Sequence, residues 1–534
     1  MNTNILIKTL FANDLKRFNL LSIEPEKNYQ KIKIAVYRNH SFEMIASVLN
    51  SFLAFSELSA EYIYSSYDDS LNFQQLNADL NLIWLDVARY KMDDISGFIN
   101  ERAQALRGLS DSPIIFICIG NKTEIILSNN IPDCYIFSLN QELNLLKDDA
   151  FDLIKEPYSG TRLSNKASLY CARVIGLQYI PAVFKPIIKA VILDLDNTLY
   201  QGILGEDGVD CLLPNLELQK EVKKLKDNGM FLCLASKNEE SDVIELFKKR
   251  TDFILRLEDF TAIRVNWNSK YENIKSLAHE LNIGTDAMLF IDDNPAEIEN
   301  TNGLGLKTIL ANDSNQTAQI VKYYPGLMKL KKSNEDLIRD KDIRANKERS
   351  IMAKTLSPQD YFKKLGIKLC FSINDVAKIP RCAELLGKTN QFILNYQRYS
   401  ELELTNLLKS DKSCVITASM SDNLSDSGII AILVLSKDIE SNILILNELT
   451  VSCRALGRNL ESIMIPFMFK LGKDKLQTID KIKINYKKGE RNTPALKWLS
   501  EFYNNNLEKN GYILCSVPNE IITDGIKIEI VNNE

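Results

Sequence analysis

Histidine is almost absent from this chain: two occur among 534 residues, His40 and His279. That scarcity removes histidine-activated nucleophiles and histidine-rich metal centres from most of the sequence. The 10 cysteines include no CxxC pair, so a zinc ribbon or a dithiol redox centre is not expected, and free buried thiols in a reducing cytoplasm are. No apolar run approaches the roughly 18 residues that a membrane-spanning helix needs. The opening MNTNILIKTLFANDLKRFNLL puts Lys8, Asp14, Lys16 and Arg17 where an export signal would need an uninterrupted apolar core. Surplus positive charge is lacking too. The net charge of -5 argues against nucleic acid as a partner, because affinity for phosphate backbones rests on concentrated Lys and Arg. The expectation is a cytoplasmic protein without a membrane or nucleic-acid partner.

What the sequence does contain is the makeup of an ordinary globular protein, 45% hydrophobic and 25% charged. At about 100 to 200 residues per domain, this length predicts about three folding units. Residues 1–30 read as a helical arm. From KIKIAVY onward strand-like runs alternate with helical ones (MIASVLNSFLAF, LNLIWLDV, a helix over 93–107, SPIIFICIG) up to PAVFKP near 185. Such alternation predicts a parallel sheet with helices on both faces. A second α/β unit, 186–325, places apolar strands at 188–193, 230–235 and 287–291. The segment 326–356 is dense in mixed charge and reads as an exposed helical connector. From 357 to 534, strands at IKLCFSI, CVITASM, GIIAILVLS and NILILNELTV with helices over 378–388 and 459–471 predict an α+β domain around an antiparallel sheet.

Three strands of the second unit end in polar groups: VILDLDNT in Asp194, Asp196 and Thr198, FLCLASKN in Ser236 and Asn238, MLFIDDNP in Asp292 and Asp293. In an open α/β sheet the ligand crevice lies beyond the carboxyl ends of the strands, so these groups should converge. Several carboxylates at one site require a cation, and an all-oxygen set suits Mg²⁺, with Asp194, Asp196 (through its main-chain carbonyl), Asp292 and Asp293 as ligands. Asp194 is then the candidate nucleophile on phosphorus, forming an aspartyl-phosphate. Asp196 is the candidate general acid and base. Ser236 would donate to the phosphoryl oxygens and Lys270, in NWNSKYENI, would offset their charge. Thr198 and Asn238 are candidate substrate contacts.

The order and spacing of Asp194, Ser236, Lys270 and Asp292 match the four motifs of the haloacid dehalogenase (HAD) phosphatase superfamily. DLDNTLYQGILGEDG, LASKNEESDV, VNWNSKYENI and LFIDDNPAEIE resemble its FkbH-like branch, subfamily IIIC, which typically reads DLDNTLWGGVLGEDG. Tyr200 stands where that pattern has Trp, and Gln201 where it has Gly. GKTNQFILNYQRYS, DNLSDSG, LTVSCRALGRNLE and ERNTPALKWLSEFY resemble the branch's carboxy-terminal region, although DNLSDSG departs from DRFGDxG at Asn423, Leu424 and Ser425 while keeping Asp422, Asp426 and Gly428.

The resemblance implies an SGNH-hydrolase-like first domain, a HAD-like Rossmannoid middle domain and a GNAT-like last domain. It also implies transfer of a glyceryl or related acyl group from 1,3-bisphosphoglycerate to the phosphopantetheine arm of an acyl carrier protein, as in polyketide biosynthesis. Thioester formation needs a thiolate, and Cys453, beside Arg454 and Arg458 near an expected helix start, is the candidate carrier; a small buried hydrophobe is the alternative. Lys388 and Asn390, in GKTNQF, join Arg454 and Arg458 as candidate substrate contacts. An acetyl-CoA loop RxxGxG is met by Arg454, Gly457 and Arg458 but has Asn459 in place of its last glycine. An SGNH esterase needs a late DxxH, and no histidine lies between 41 and 185, so an interaction role is expected of the first domain. Two other functions stay open: a stand-alone phosphatase of a small phosphorylated metabolite, and a carrier-binding scaffold without turnover.

Overall fold

The computed structural model describes residues 3–531, apart from 122, 129–130, 332–341, 344, 346–348, 350–351, 353–355, 390, 453–454, 457, 459, 490, 505–506, 508–509, 519–520, 522 and 524. The protein is a multidomain α/β chain that divides into two compact units, Met1–Ala278 with Gly284–Lys332, and Ser333–Glu534 with His279–Ile283.

Unit 1 carries two five-stranded parallel sheets. The first consists of β1 (Gln30–Arg38), β2 (Leu58–Tyr67), β3 (Leu80–Asp86), β4 (Ile114–Ile119) and β5 (Cys134–Ser138), in the order β2-β1-β3-β4-β5. Every residue of β3 and β4 is buried, as their unbroken apolar runs require when helices cover both faces. In the second sheet β6 (Ala190–Leu193) is central. After the short antiparallel pair β7 (Tyr200–Gln201) and β8 (Leu213–Pro214) come β9 (Phe231–Ser236), β10 (Ala262–Val265), β11 (Met288–Asp292) and β12 (Lys307–Leu310), giving the order β10-β9-β6-β11-β12. The three polar-ended strands β9, β6 and β11 are therefore immediate neighbours.

A sequence boundary near 185 suggests two separate cores, but these sheets share one. Apolar residues of both, among them Leu49, Trp84, Leu177, Val191 and Leu193, belong to a single buried cluster. The buried Arg173 guanidinium lies 4.1 Å from the Tyr323 ring, and the Tyr323 hydroxyl donates to Glu142. Arg173 belongs to the continuous helical stretch Asn165–Phe184, the one helix among the described residues long and apolar enough to cross a membrane, and 78% of its apolar window is buried in the protein. Lys166 and Arg173 interrupt the sequence there, so no unbroken apolar run announces it.

Unit 2 is built on a seven-stranded sheet: β13 (Lys368–Ile373), β14 (Ser413–Ser421), β15 (Asp426–Lys437), β16 (Leu444–Val451), β17 (Lys481–Lys487), β18 (Asn510–Ser516) and β19 (Lys527–Val531), ordered β18-β17-β16-β15-β14-β13-β19. Its pairings are antiparallel except β13 with β19 and β16 with β17. Glu448 on β16 is fully buried, and its carboxylate accepts main-chain N–H bonds from Leu394, Asn395, Gln397 and Leu449 at 2.6 to 3.0 Å, tying the LNYQ segment to the sheet.

The charged stretch before this domain differs from the exposed connector that its composition suggests. Asp342, Ile343 and Arg349 are buried in unit 2. Arg349 forms a two-pronged pair with Asp422 (Nε to Oδ2 2.8 Å, Nη2 to Oδ1 2.9 Å) and a further contact with Asp342 at 3.0 Å. Ser425 and Ser427 donate to the same Asp342 carboxylate. Charges at this density read as solvated, yet Asp342 and Arg349 find opposite charges within the fold.

Burial alone would raise the Asp342 and Asp422 carboxyls. Arg458 above all for Asp342, and the Arg349 hydrogen bond for Asp422, more than reverse this and hold both below the usual range. A lowered folded pKa gives stability that is complete above the unfolded value, about 3.9, and is lost as pH falls through the folded one. Asp422→Ala removes one of the two carboxylates that hold the buried Arg349 guanidinium and should cost roughly 1.5–3 kcal/mol, read as a lower unfolding midpoint in thermal or urea denaturation at pH 7. The gap from the parent should narrow as the pH is taken below about 4.

Candidate active site

β6 ends at Leu193, and the chain leaves the sheet with the Asp194 N–H bonded to the Ile291 carbonyl on β11. That bond seats Asp194 beside Asp292, the last residue of β11. Ligand oxygens of Asp194, Asp292 and Asp293 lie within 4.8 Å of one another. Lys270, the first residue of the helix Lys270–Leu281, reaches across them: its Nζ is 2.6 Å from Asp194 Oδ1 and 2.9 Å from Asp292 Oδ2. The ammonium is buried, and it sits 5.6 Å from the Phe290 ring centroid.

Asp292 Oδ1 also accepts the Asn294 N–H at 2.8 Å, and Asn294 caps the helix Pro295–Asn300 through the Ala296 N–H. The tight turn DDNP thus aims two successive carboxylates into one crevice. Burial first, then neighbouring carboxylates, push Asp194 and Asp293 up, and burial does the same to Asp292, while Lys270 pulls against the shift. The two aspartates in turn outweigh burial at Lys270 and hold it protonated. Such a cluster is poised for a divalent cation, since all the converging donors are carboxylate oxygens.

The Ser236 side chain, at the end of β9, hydrogen-bonds Asp194. Asn238 ties the site together: its Nδ2 donates to Asp196 Oδ2 at 2.9 Å and to Ser236 Oγ at 3.1 Å. It thereby links the ends of the strands that carry Asp196 and Ser236. The half-buried Asp196 carboxylate lies outside the three-aspartate group and accepts from the Tyr200 hydroxyl at 2.7 Å and the Leu204 N–H at 2.9 Å as well. Thr198 is buried, and its carbonyl accepts the Asn215 amide at 2.7 Å.

Sequence reasoning missed Asn197 and the bonding role of Tyr200. Asn197 adopts φ 52°, a left-handed geometry that asparagine tolerates, and its side chain bonds the Gly202 N–H and Asp293. The Asn following DxD was the available signal. At the rim, the exposed Trp267 donates from Nε1 to Glu239 at 2.6 Å, and Lys237 pairs with Glu297 at 2.5 Å. These links hold the loops that follow β9, β10 and β11 to one another.

Of the carboxy-terminal candidates, Lys388 and Arg458 are among the described residues. Lys388 pairs with Glu384 on its own helix at 2.6 Å. Arg458, expected to face substrate, is buried, with Nη2 3.2 Å from both Asp342 oxygens and Nη1 3.0 Å from Ser427 Oγ. Asn390, Cys453 and Arg454 lie outside the described residues. In the first sheet, the Ser41 hydroxyl donates to Glu43 at 2.7 Å. His40 is buried, stacked on Trp84 and bonded through Nδ1 to Thr161 Oγ1 at 2.9 Å. Burial, then the charges of Arg89 and Arg162, keep the His40 ring neutral. Serine and histidine are spent on separate partners there.

The sequence matches no family model and no curated protein sequence. Among solved structures, the chain is similar to the phosphatase-domain-containing N-terminal part of a Bacteroides fragilis protein, determined with Mg, at 20% identity and TM-score 0.44 over 60% of this chain and 99% of that one. A HAD family enzyme from Bacteroides thetaiotaomicron, in complex with magnesium and inorganic phosphate, aligns at 15% identity and TM-score 0.19 over 23% of this chain and 93% of its own. An acetyltransferase of the GNAT family from Streptococcus pneumoniae aligns at 13% identity and TM-score 0.20, covering 25% of this chain and 82% of its own.

Proposed function

We propose that the crevice beyond β6, β9 and β11 carries out Mg²⁺-dependent phosphoryl transfer through an aspartyl-phosphate on Asp194. The observation that carries this reading is the convergence of the Asp194, Asp292 and Asp293 ligand oxygens within 4.8 Å, bridged by the buried Lys270 ammonium. Asp194, Asp292 and Asp293 would hold the cation, which when bound supplies positive charge to the phosphoryl oxygens. A carboxylate oxygen of Asp194 attacks phosphorus, and Asp196 gives a proton to the departing oxygen and later takes one from the hydrolytic water. Ser236 and Lys270 meet the equatorial oxygens as charge gathers on them.

The finer reading is that this chemistry is coupled to transfer of a glyceryl or related acyl group from 1,3-bisphosphoglycerate to an acyl carrier protein, with Cys453 as the transient thioester carrier. Its support is the sequence resemblance of the last domain to the FkbH-like branch. One observation favours a stand-alone phosphatase instead: Arg458, one of the candidate contacts for a phosphopantetheine arm or the substrate, is bonded to Asp342 inside unit 2.

Asp194→Asn should abolish Mg²⁺-dependent phosphate release from acyl phosphates while far-UV circular dichroism stays that of the parent. Substantial residual turnover would remove Asp194 from the nucleophile's role.

Lys270→Met leaves two buried carboxylates facing one another without their ammonium. The metal-free variant should unfold at a lower temperature than the parent, by the equivalent of roughly 3–5 kcal/mol, and millimolar Mg²⁺ should recover part of that loss. Equal thermal shifts with and without Mg²⁺ would place the cation elsewhere.

To separate the two finer readings, the full chain is incubated with Mg²⁺, 1,3-bisphosphoglycerate and candidate carrier proteins, followed by intact-protein mass spectrometry. A glyceryl adduct on carrier or enzyme, lost in Cys453→Ala, is the outcome expected of the coupled transfer; phosphate release without any adduct assigns the stand-alone phosphatase.

A further inference from the structure

The hydrogen bonds around Asp196 are unequal at its two oxygens. Oδ1 accepts twice, from the Tyr200 hydroxyl at 2.7 Å and the Leu204 N–H at 2.9 Å, whereas among the described residues Oδ2 accepts from the Asn238 amide alone, at 2.9 Å. A carboxylate oxygen offers about two lone-pair directions. Oδ1 is therefore filled, and Oδ2 keeps one direction open.

Both donors to Oδ1 belong to the short excursion that follows the DLDNT turn. Tyr200 opens β7 and is fully buried, its ring 5.9 Å from that of Phe253. Leu204 begins the helical turn Leu204–Asp207, where its N–H has no partner within the helix. The far side of the excursion is pinned as well: the Ile203 N–H meets Asp207 at 2.7 Å, and Asn215 holds the Thr198 carbonyl. A buried phenol oxygen is costly unless it is bonded, and Asp196 is the partner that satisfies it. If the ring served only to fill the core, phenylalanine would do so without that demand.

We propose that Tyr200 is a positioning residue for the phosphoryl-transfer reaction: by occupying Oδ1 together with the Leu204 N–H, it fixes the Asp196 carboxylate so that Oδ2 alone exchanges the proton. The inference rests on the reading of Asp196 as general acid and base. In the first half-reaction the proton leaves Oδ2 for the departing oxygen as the bond from phosphorus to that oxygen breaks and one to Asp194 forms. In the second, water oxygen bonds to phosphorus and its proton passes to Oδ2, while the bond from phosphorus to Asp194 breaks with its electron pair returning to the carboxylate. Tyr200 keeps its own proton throughout. The tryptophan that the FkbH-like pattern has at this position also carries one ring N–H donor, so the device needs a donor at this place more than a particular ring.

The test uses the full-length protein with Mg²⁺ and acetyl phosphate, whose carboxylate leaving group needs no proton, so that a misplaced Asp196 slows breakdown of the phosphoenzyme more than its formation. Tyr200→Phe should lower kcat roughly tenfold to a hundredfold, the range for loss of a hydrogen bond to a charged group. The phosphoenzyme fraction seen by rapid-quench intact mass should rise, and Tyr200→Trp should bring both back toward the parent. Parental turnover in Tyr200→Phe, or a fall in kcat with no gain in phosphoenzyme, overturns the proposal, since a merely packing role would not select one half-reaction. Crystal structures of the parent and Tyr200→Phe give a second decision that needs no turnover: a rotated or split Asp196 carboxylate is expected, and an unchanged one overturns the proposal. Failure of the underlying reading looks different, because the parent and Asp194→Asn would then be equally devoid of phosphoenzyme.

Discussion

The Lys270 ammonium, clasped between Asp194 and Asp292 in a buried crevice, is the interaction on which the rest of unit 1 depends. Each carboxylate would be expensive there alone, and a pair of them more so. Burying all three charges together lets two strand ends and a helix start approach closely enough to form one site. That closeness requires β6 and β11 to be neighbours and the helix from Lys270 to begin just above them. The sheet order and the charge arrangement are therefore two descriptions of one constraint.

Much of this was legible because carboxylates interrupt apolar strands so abruptly. VILDLD and MLFIDD announce both a strand and its polar end, and the structure seats Asp194, Asp292, Asp293, Ser236 and Lys270 together. Less legible was what holds these groups in place. The place of Asn238 beside Ser236 did not reveal that its amide also reaches Asp196. The bond between Tyr200 and Asp196 depends on a turn geometry that spacing alone does not encode.

In the last domain, composition misled for a different reason. Mixed charge between 326 and 356 has the signature of a solvated helix, and periodicity cannot reveal that Asp342 and Arg349 have partners roughly eighty residues away in Asp422, Ser425 and Ser427. The same partners explain why Asp422 can persist in DNLSDSG while its neighbours differ from the family pattern: it anchors an arginine and two N–H groups of its own turn. The place of Arg458 in a glycine-containing loop gave no sign of its buried partner Asp342, 116 residues earlier in the chain.

The apolar cluster common to the two parallel sheets has a consequence for how this chain is cut or shuffled. A fragment beginning near 186 would carry every residue of the carboxylate crevice, but Tyr324 would lie bare where Phe55 now meets it, and Tyr323 would lose both Arg173 and Glu142. Chemistry and scaffold thus have different borders. The smallest piece of this protein that holds the crevice without an exposed apolar face reaches back into the segment that supplies none of its reactive groups.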